Sequence, residues 1–284
     1  MREILDFTKE KVQQLSLDEL KQTYKENDVY GKPLRGMYHF DVIDRVQEIL
    51  DRNNLNCMIQ EVFAAQNADK HSPGVVVLPQ VEETTCKNSV KAHVLRRVYT
   101  NIKVEGYDTD ELTTNVAIAF HQRSIELAWG NMVKICHNQC ILNPEHVLST
   151  YRGIDIFTML DKFEVAMHNF VNDIITEREM IEKMKAYIIE PQQLFQIIGE
   201  LNTIRIARDS MNPNIHKVDM YPLNQTQLNK FTENLLVQKA KEEYITMWDL
   251  YNAATELYKP GLMEIPNMFG QHVALNKYIQ NFIY

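Results

Sequence analysis

Two hydrophobic periods divide the chain. Residues 41–56, "DVIDRVQEILDRNNLN", place Val42, Ile43, Val46, Ile49 and Leu50 at helical spacing behind an Asp able to cap, and the Asn pair at 53–54 is a stop signal. From about residue 57 the period shortens. "CMIQEVFAAQ" and "GVVVLPQVEE" read as strands, and "SVKAHVLRRVYTNIKV" reads as a long strand with a polar edge. In "ELTTNVAIAFHQRSIELAWGNMVKICHNQCIL" the alternation is clearest: Val116, Ile118 and Phe120, a turn at "HQRS", then Ile125, Leu127 and Trp129, a turn at Gly130-Asn131, then Val133 and Ile135. This pattern predicts three antiparallel strands in a meander, with one face apolar and the other mixed.

The ends of the chain read as helix. "MREILDFTKEKVQQL" forms an amphipathic pattern carrying Ile4, Leu5, Val12, Leu15 and Leu20, followed by a loop around Pro33. After Pro144 apolar residues recur at three and four through 153–189; Pro191 opens a further helix, and "NQTQLNKFTENLLVQKAKEE", "ITMWDLYNAATELYKP" and "QHVALNKYIQNFIY" follow. The expected fold is α+β: an N-terminal half (1–145) with an antiparallel meander sheet and flanking helices, and a C-terminal half (146–284) forming a helical bundle packed on it. Trp248, Leu250, Tyr251, Ala254 and Leu257 read as helix–helix packing in that bundle.

Composition narrows the class. Of 284 residues 45% are hydrophobic and 24% charged, with nine Gly and nine Pro, which suits a folded domain rather than a disordered one. No run approaches the length of a membrane span, and the charged N-terminus is unlike a signal peptide. Four cysteines without an export signal point to free thiols in a reducing compartment, a bacterial-type cytoplasm or a virus-infected one. The net charge of −8 is unevenly spread: −3 over residues 1–67, 0 over 68–140 and −5 over 141–284.

The neutral middle holds the candidate nucleic-acid surface. Lys87, Lys91, Arg96, Arg97 and Lys103 cluster without acids, and Tyr99 stands among them; cations to neutralise phosphates and a ring to stack on bases are what such a partner requires. Arg123 in the "HQRS" turn extends the set. The alternative for this strand is a solvated sheet edge whose charges prevent unwanted pairing. Asp108, Asp110 and Glu111 read as a hydrophilic hairpin tip.

"KICHNQCIL" raises metal chemistry. Cys136 and Cys140 have the spacing of half a zinc site, and Cys57, Cys86, His121 or His146 would have to complete it. Strand parity points Cys136 and His137 to opposite faces, and no second close pair exists. A Cys136 nucleophile paired with His121 or His93 lacks a glycine-rich turn or oxyanion loop. Neither kinase-type nor P-loop glycines occur. The residues therefore call for no cofactor.

Several of these segments resemble an uncharacterised phage/plasmid-like protein family, a domain of unknown function found on phages, plasmids and Bacteroides-type mobile elements. They are "IQEVFAAQNADKHSPGVVVLPQVEE", "AHVLRRVYTNI", the 110–142 alternating run, "YPLNQTQLNKFTENLL" and "ITMWDLYNAATELYKP". Val133 through Asn138 is similar to a valine–cysteine–x–asparagine element, and Trp248, Tyr251, Asn252, Thr255 and Glu256 to a C-terminal tryptophan–tyrosine element. The resemblance supplies no catalytic residue. It implies a mobile-element context, in which the expected activity is non-enzymatic binding of DNA during replication or recombination. The alternatives are an inhibitor of a host defence complex and a metal- or thiol-dependent enzyme. Long amphipathic helices and an open sheet edge make self-association plausible.

Overall fold

A computed structural model describes residues 12–26, 39–65, 97–120, 125–134, 139–150, 155–209, 222–239, 244–258 and 268–283. The fold is α+β, with an antiparallel sheet in the N-terminal half and helices through the C-terminal half. The chain forms two compact units: Met1–Trp129, Val147–Phe170 and Pro260–Pro266 make the first, and Gly130–His146, Val171–Lys259 and Asn267–Tyr284 the second.

In the first unit the amphipathic N-terminal stretch is not one helix. Val12–Leu15 is a strand (β1), and the helix (α1, Leu17–Glu26) begins only after Ser16. The cause is a capping box: the Glu19 amide donates to Ser16 Oγ at 3.2 Å and the Ser16 amide donates back to Glu19 Oε2 at 2.7 Å. That backbone bond also holds the Glu19 carboxyl below its ordinary range. The next helix (α2, His39–Arg52) starts two residues before Asp41, which therefore lies in its first turn. Its five predicted apolar residues are all buried. Asn54, at φ 58°, ends it, and the Leu55 amide reaches back to the Leu50 carbonyl at 3.0 Å, closing a Schellman-type stop.

The sheet continues with β2 (Cys57–Ala65), β3 (Arg97–Val104), β4 (Leu112–Phe120) and β5 (Ile125–Val133), neighbours in chain order as a meander requires. β1 borders β2, and β7 (Val147–Ser149) pairs with Glu126–Ala128 of β5. Between Ile59 and Glu61 the register shifts, so Cys57 and Ile59 share the face of Val62 and Ala64 despite the break in alternation. β3 is an inner strand, paired to β2 on one side and β4 on the other, not the polar edge its sequence suggested. All nine residues of β4 are buried, which corrects the expectation of a mixed outer face. β5 runs unbroken through Gly130-Asn131, where the dipeptide predicted a turn. Helix α3 (Ile156–Met167) is capped by Asp155, which accepts from the Thr158 amide at 2.9 Å, and its Phe163 meets Trp129 edge-on at 5.7 Å. The strand expected at 74–83, the 89–96 part of the long strand expected after it and the Pro33 loop lie outside the described residues.

In the second unit, β6 (Gln139–Cys140) pairs with Asn131 and Met132. Helices α4 (Phe170–Ala186), α5 (Pro191–Asp209), α6 (Gln225–Lys239), α7 (Met247–Thr255) and α8 (Met268–Ile283) follow, with a two-residue ladder of β8 (Ile188–Ile189) and β9 (Ile245–Thr246). Pro191 occupies the first turn of α5, as expected. α6 and α7 each open on a capping box, Asn224 with Gln227 and Thr246 with Asp249. Leu194, Ile197, Leu201, Phe231, Leu235, Leu250, Tyr251, Ala254 and Leu275 form the core; of the expected α7 stripe Leu250, Tyr251 and Ala254 are buried, whereas Trp248 and Leu257 are half-buried.

Candidate functional site

The predicted nucleic-acid residues divide. Tyr99 is buried, 3% exposed, with its ring 6.3 Å from Phe63, and burial pushes its hydroxyl well above the ordinary range. It offers no ring to a base, which corrects its assignment. Lys103 sits near the other end of β3, its ammonium 2.6 Å from Asp108 in the acidic hairpin tip. Arg97 is the first residue of β3. Lys91, Arg96 and Arg123 lie outside the described residues. The register pairs Val98 with Phe120, so the start of β3 is beside the end of β4. The four-residue link from Phe120 to Ile125, which contains Arg123, thus departs from the strand end next to Arg97.

Of the metal candidates, Cys136 and His121 lie outside the described residues, and Cys140 is fully buried in β6. Cys57 is half-buried, and burial raises its thiol above the ordinary value. Among the described residues no three His, Cys, Asp or Glu side chains are grouped to hold a metal ion.

A different constellation forms around Glu177. On α4, Asp173 and Glu177 are four residues apart and share a face. Glu177 is 2% exposed and accepts four hydrogen bonds: from the Asn131 amide at 3.2 Å and Asn131 Nδ2 at 3.0 Å to Oε2, and from the Leu142 amide at 3.2 Å and His146 Nδ1 at 3.0 Å to Oε1. Arg178 Nε donates to Asn131 Oδ1 at 3.2 Å. His146, 3% exposed at the end of the 3-10 turn Pro144–His146, turns its Nε2 toward Asp173 Oδ2 at 3.3 Å. Tyr251 lies near this group; burial first, then neighbouring Cys140 and Glu177, drives its hydroxyl well above the ordinary value.

Chemically this is a buried tie between β5, β6 and α4. Both Glu177 oxygens are spent on N–H donors, leaving poor lone-pair access for a cation, and both imidazole nitrogens of His146 face carboxylates rather than a nucleophile. In the sequence alone His146 stands out only as a distant candidate metal ligand. The signal for its true partners was the Asp173/Glu177 spacing on an otherwise amphipathic helix. Asn131 was hidden because its dipeptide resembles a turn.

Among the described residues no helix is long and apolar enough to cross a membrane. No protein-family model matches the chain, and no curated protein or solved structure matches it.

Proposed function

We propose that this chain is a non-enzymatic accessory protein of phage or plasmid type that binds nucleic acid in the cytoplasm of a bacterial host. The observation that carries the reading is the β3–β4 register, which sets the strand end bearing Arg97 beside the departure of the Arg123 link. Arg96 precedes Arg97 directly in the chain. The acidic tip, with Asp108 tied to Lys103, belongs to the opposite end of these strands from Arg97. A cluster of cations of this kind would supply a local positive field on a chain whose net charge is −8.

The test is a mobility shift with single-stranded and duplex oligonucleotides at low salt. The wild-type chain is expected to bind with an affinity that falls steeply with salt. The Arg97→Glu/Arg123→Glu double variant is expected to lose on the order of tenfold or more and to show a shallower salt slope. Absence of any wild-type shift at low salt removes the reading.

A second reading, a protein that grips a host defence complex, draws on the large apolar side chains exposed in the helical unit. Ile175 and Phe195 are 50% and 58% exposed, and Ile175 borders a shallow depression of about 510 Å³ lined with Arg178, Glu179, Glu182 and Lys183. Host-protein capture that the Ile175→Glu and Phe195→Glu variants abolish, with no DNA binding, would favour it.

A further inference from the structure

Helix α3 carries a second, smaller apolar stripe. Its inner side, with Ile156, Met159, Leu160, Phe163 and Met167, is buried, and the Asp155 cap, the Phe163–Trp129 contact and an ion pair from Arg52 on α2 to Glu164 at 3.1 Å fix how it lies. Its outer side carries Phe157 and Val165, 61% and 66% exposed, the two most exposed large apolar side chains among the described residues. A scattered exposed apolar residue needs no explanation, but these two are arranged symmetrically. Each stands four residues from Asp161, one on either side, so the three share one stripe of the helix. Asp161 and the adjacent Lys162 are exposed too, and among the described residues neither side chain has a hydrogen bond or ion pair. The helix itself is the reason. Adjacent residues point about 100° apart, and the positions three and four away from either charge hold no opposite one. On other exposed helices such charges are paired, Arg45 with Glu48 and Lys185 with Glu182.

We propose that this face of α3 docks on α3 of a second copy of the chain, antiparallel, about a two-fold axis at Asp161. A two-fold there exchanges the ends of the stripe, so Phe157 of each copy packs beside the partner's Val165. The unspent charges favour a second copy over a foreign chain. Two aspartates and two lysines meet at the axis and sum to zero, and the long Lys162 stem carries its ammonium to the partner's Asp161. The stripe thus complements itself. With 12 residues α3 is roughly 18 Å long, so the contact is small against the roughly 1,200 Å² of a lasting interface, and the dimer is weak and concentration-dependent. Neither the Arg97 end of β3 nor the exposed Ile175 and Phe195 enter it, so the pairing stands independently of both functional readings.

The experiment is sedimentation velocity of the full chain from about 10 µM to about 1 mM. The wild type should shift from monomer towards dimer over that range, while Phe157→Glu and Val165→Glu each stay monomeric. Lys162→Glu, which leaves acids alone at the axis, should raise the dissociation constant about tenfold or more, and less so in high salt. Exchanging the two charges, Asp161→Lys with Lys162→Asp, keeps their sum at zero and should restore pairing to near wild-type strength. All four side chains are exposed, so the variants should fold, which equal thermal midpoints would check. A wild type that is monomeric throughout would overturn the proposal; so would a dimer indifferent to Phe157→Glu, or a charge-exchanged variant as weak as Lys162→Glu. Capture of a host protein through Phe157 by a chain that never dimerises would overturn it in favour of that occupant.

Discussion

Gly130 lies so close to Cys140 that a Cβ built on it would stand 2.3 Å from the Cys140 carbonyl oxygen and 3.1 Å from Glu177 Oε2. The glycine is there for approach, not for a turn. Its missing side chain lets β6 and the Glu177 carboxylate close on β5. Gly130→Ala must therefore push backbone aside, and is expected to destabilise the fold by a few kcal/mol, read as a lower denaturation midpoint. Gly199 is the internal control: a Cβ there meets nothing within 4 Å, and it sits inside α5. Gly199→Ala should stabilise by up to about 1 kcal/mol.

Glu177 should be the costliest single polar position of the helical unit. Glu177→Ala strands four buried N–H donors at once, and a loss of about 3–5 kcal/mol is expected from equilibrium unfolding. Glu177→Gln keeps the shape but turns an NH₂ against donors, so it should rescue little. A loss no larger than that of an exposed Glu would show that the tie contributes nothing to stability.

Acid should weaken the protein through its buried histidines, from about pH 6.5 downward. Burial lowers the His39 and His272 imidazoles from 6.5 to about 3. Their unfolded forms take up protons near 6.5 while the folded forms stay neutral, so between about pH 6.5 and 3 the unfolded state binds more protons. The stability these rings contribute is complete above that window and lost as pH falls through it, by roughly one to two kcal/mol per pH unit and histidine. Urea midpoints at pH 7 and 4.5 measure the slope, and His272→Phe should reduce it. An equal slope in that variant would place the proton uptake elsewhere.

Asn276, one helical turn after His272 on α8, is fully buried with neither end of its amide hydrogen-bonded among the described residues. Replacing it with an apolar residue of similar volume removes a desolvation cost without breaking a bond. Asn276→Leu is expected to be neutral or to raise stability by about 1 kcal/mol, checked by thermal unfolding. A drop of several kcal/mol would mean that the amide has a bonded partner.

Reading the sequence worked where local rules and tertiary demands agree. The three-four spacing of α2 survives because burial on the expected face reinforces it, and the strands of 112–129 form where their alternation places them although both of their faces are buried. It failed where a partner distant in the chain decides. Val12–Leu15 is helical by pattern, yet β2 offers it a ladder and the Ser16–Glu19 box begins the helix later. Gly130-Asn131 follows turn chemistry until Glu177, more than forty residues on, supplies an acceptor for the Asn131 amide. Tyr99 sits among cations in the sequence, but an inner strand takes it into the interior. The Glu177 tie itself was visible only as two carboxylates at helical spacing, with nothing nearby to say what they hold.

The division of the chain into units has a consequence for its synthesis. A polypeptide leaves the ribosome N-terminus first, at about 5–20 residues per second. The first unit includes Val147–Phe170, which emerges after the stretch Gly130–His146 that belongs to the second. Glu126–Ala128 of β5 therefore stay without their β7 partner while Gly130–His146 of the other unit pass. Any factor that guards this protein against aggregation during translation has its work set by that delay, in the interval before β7 and α3 arrive.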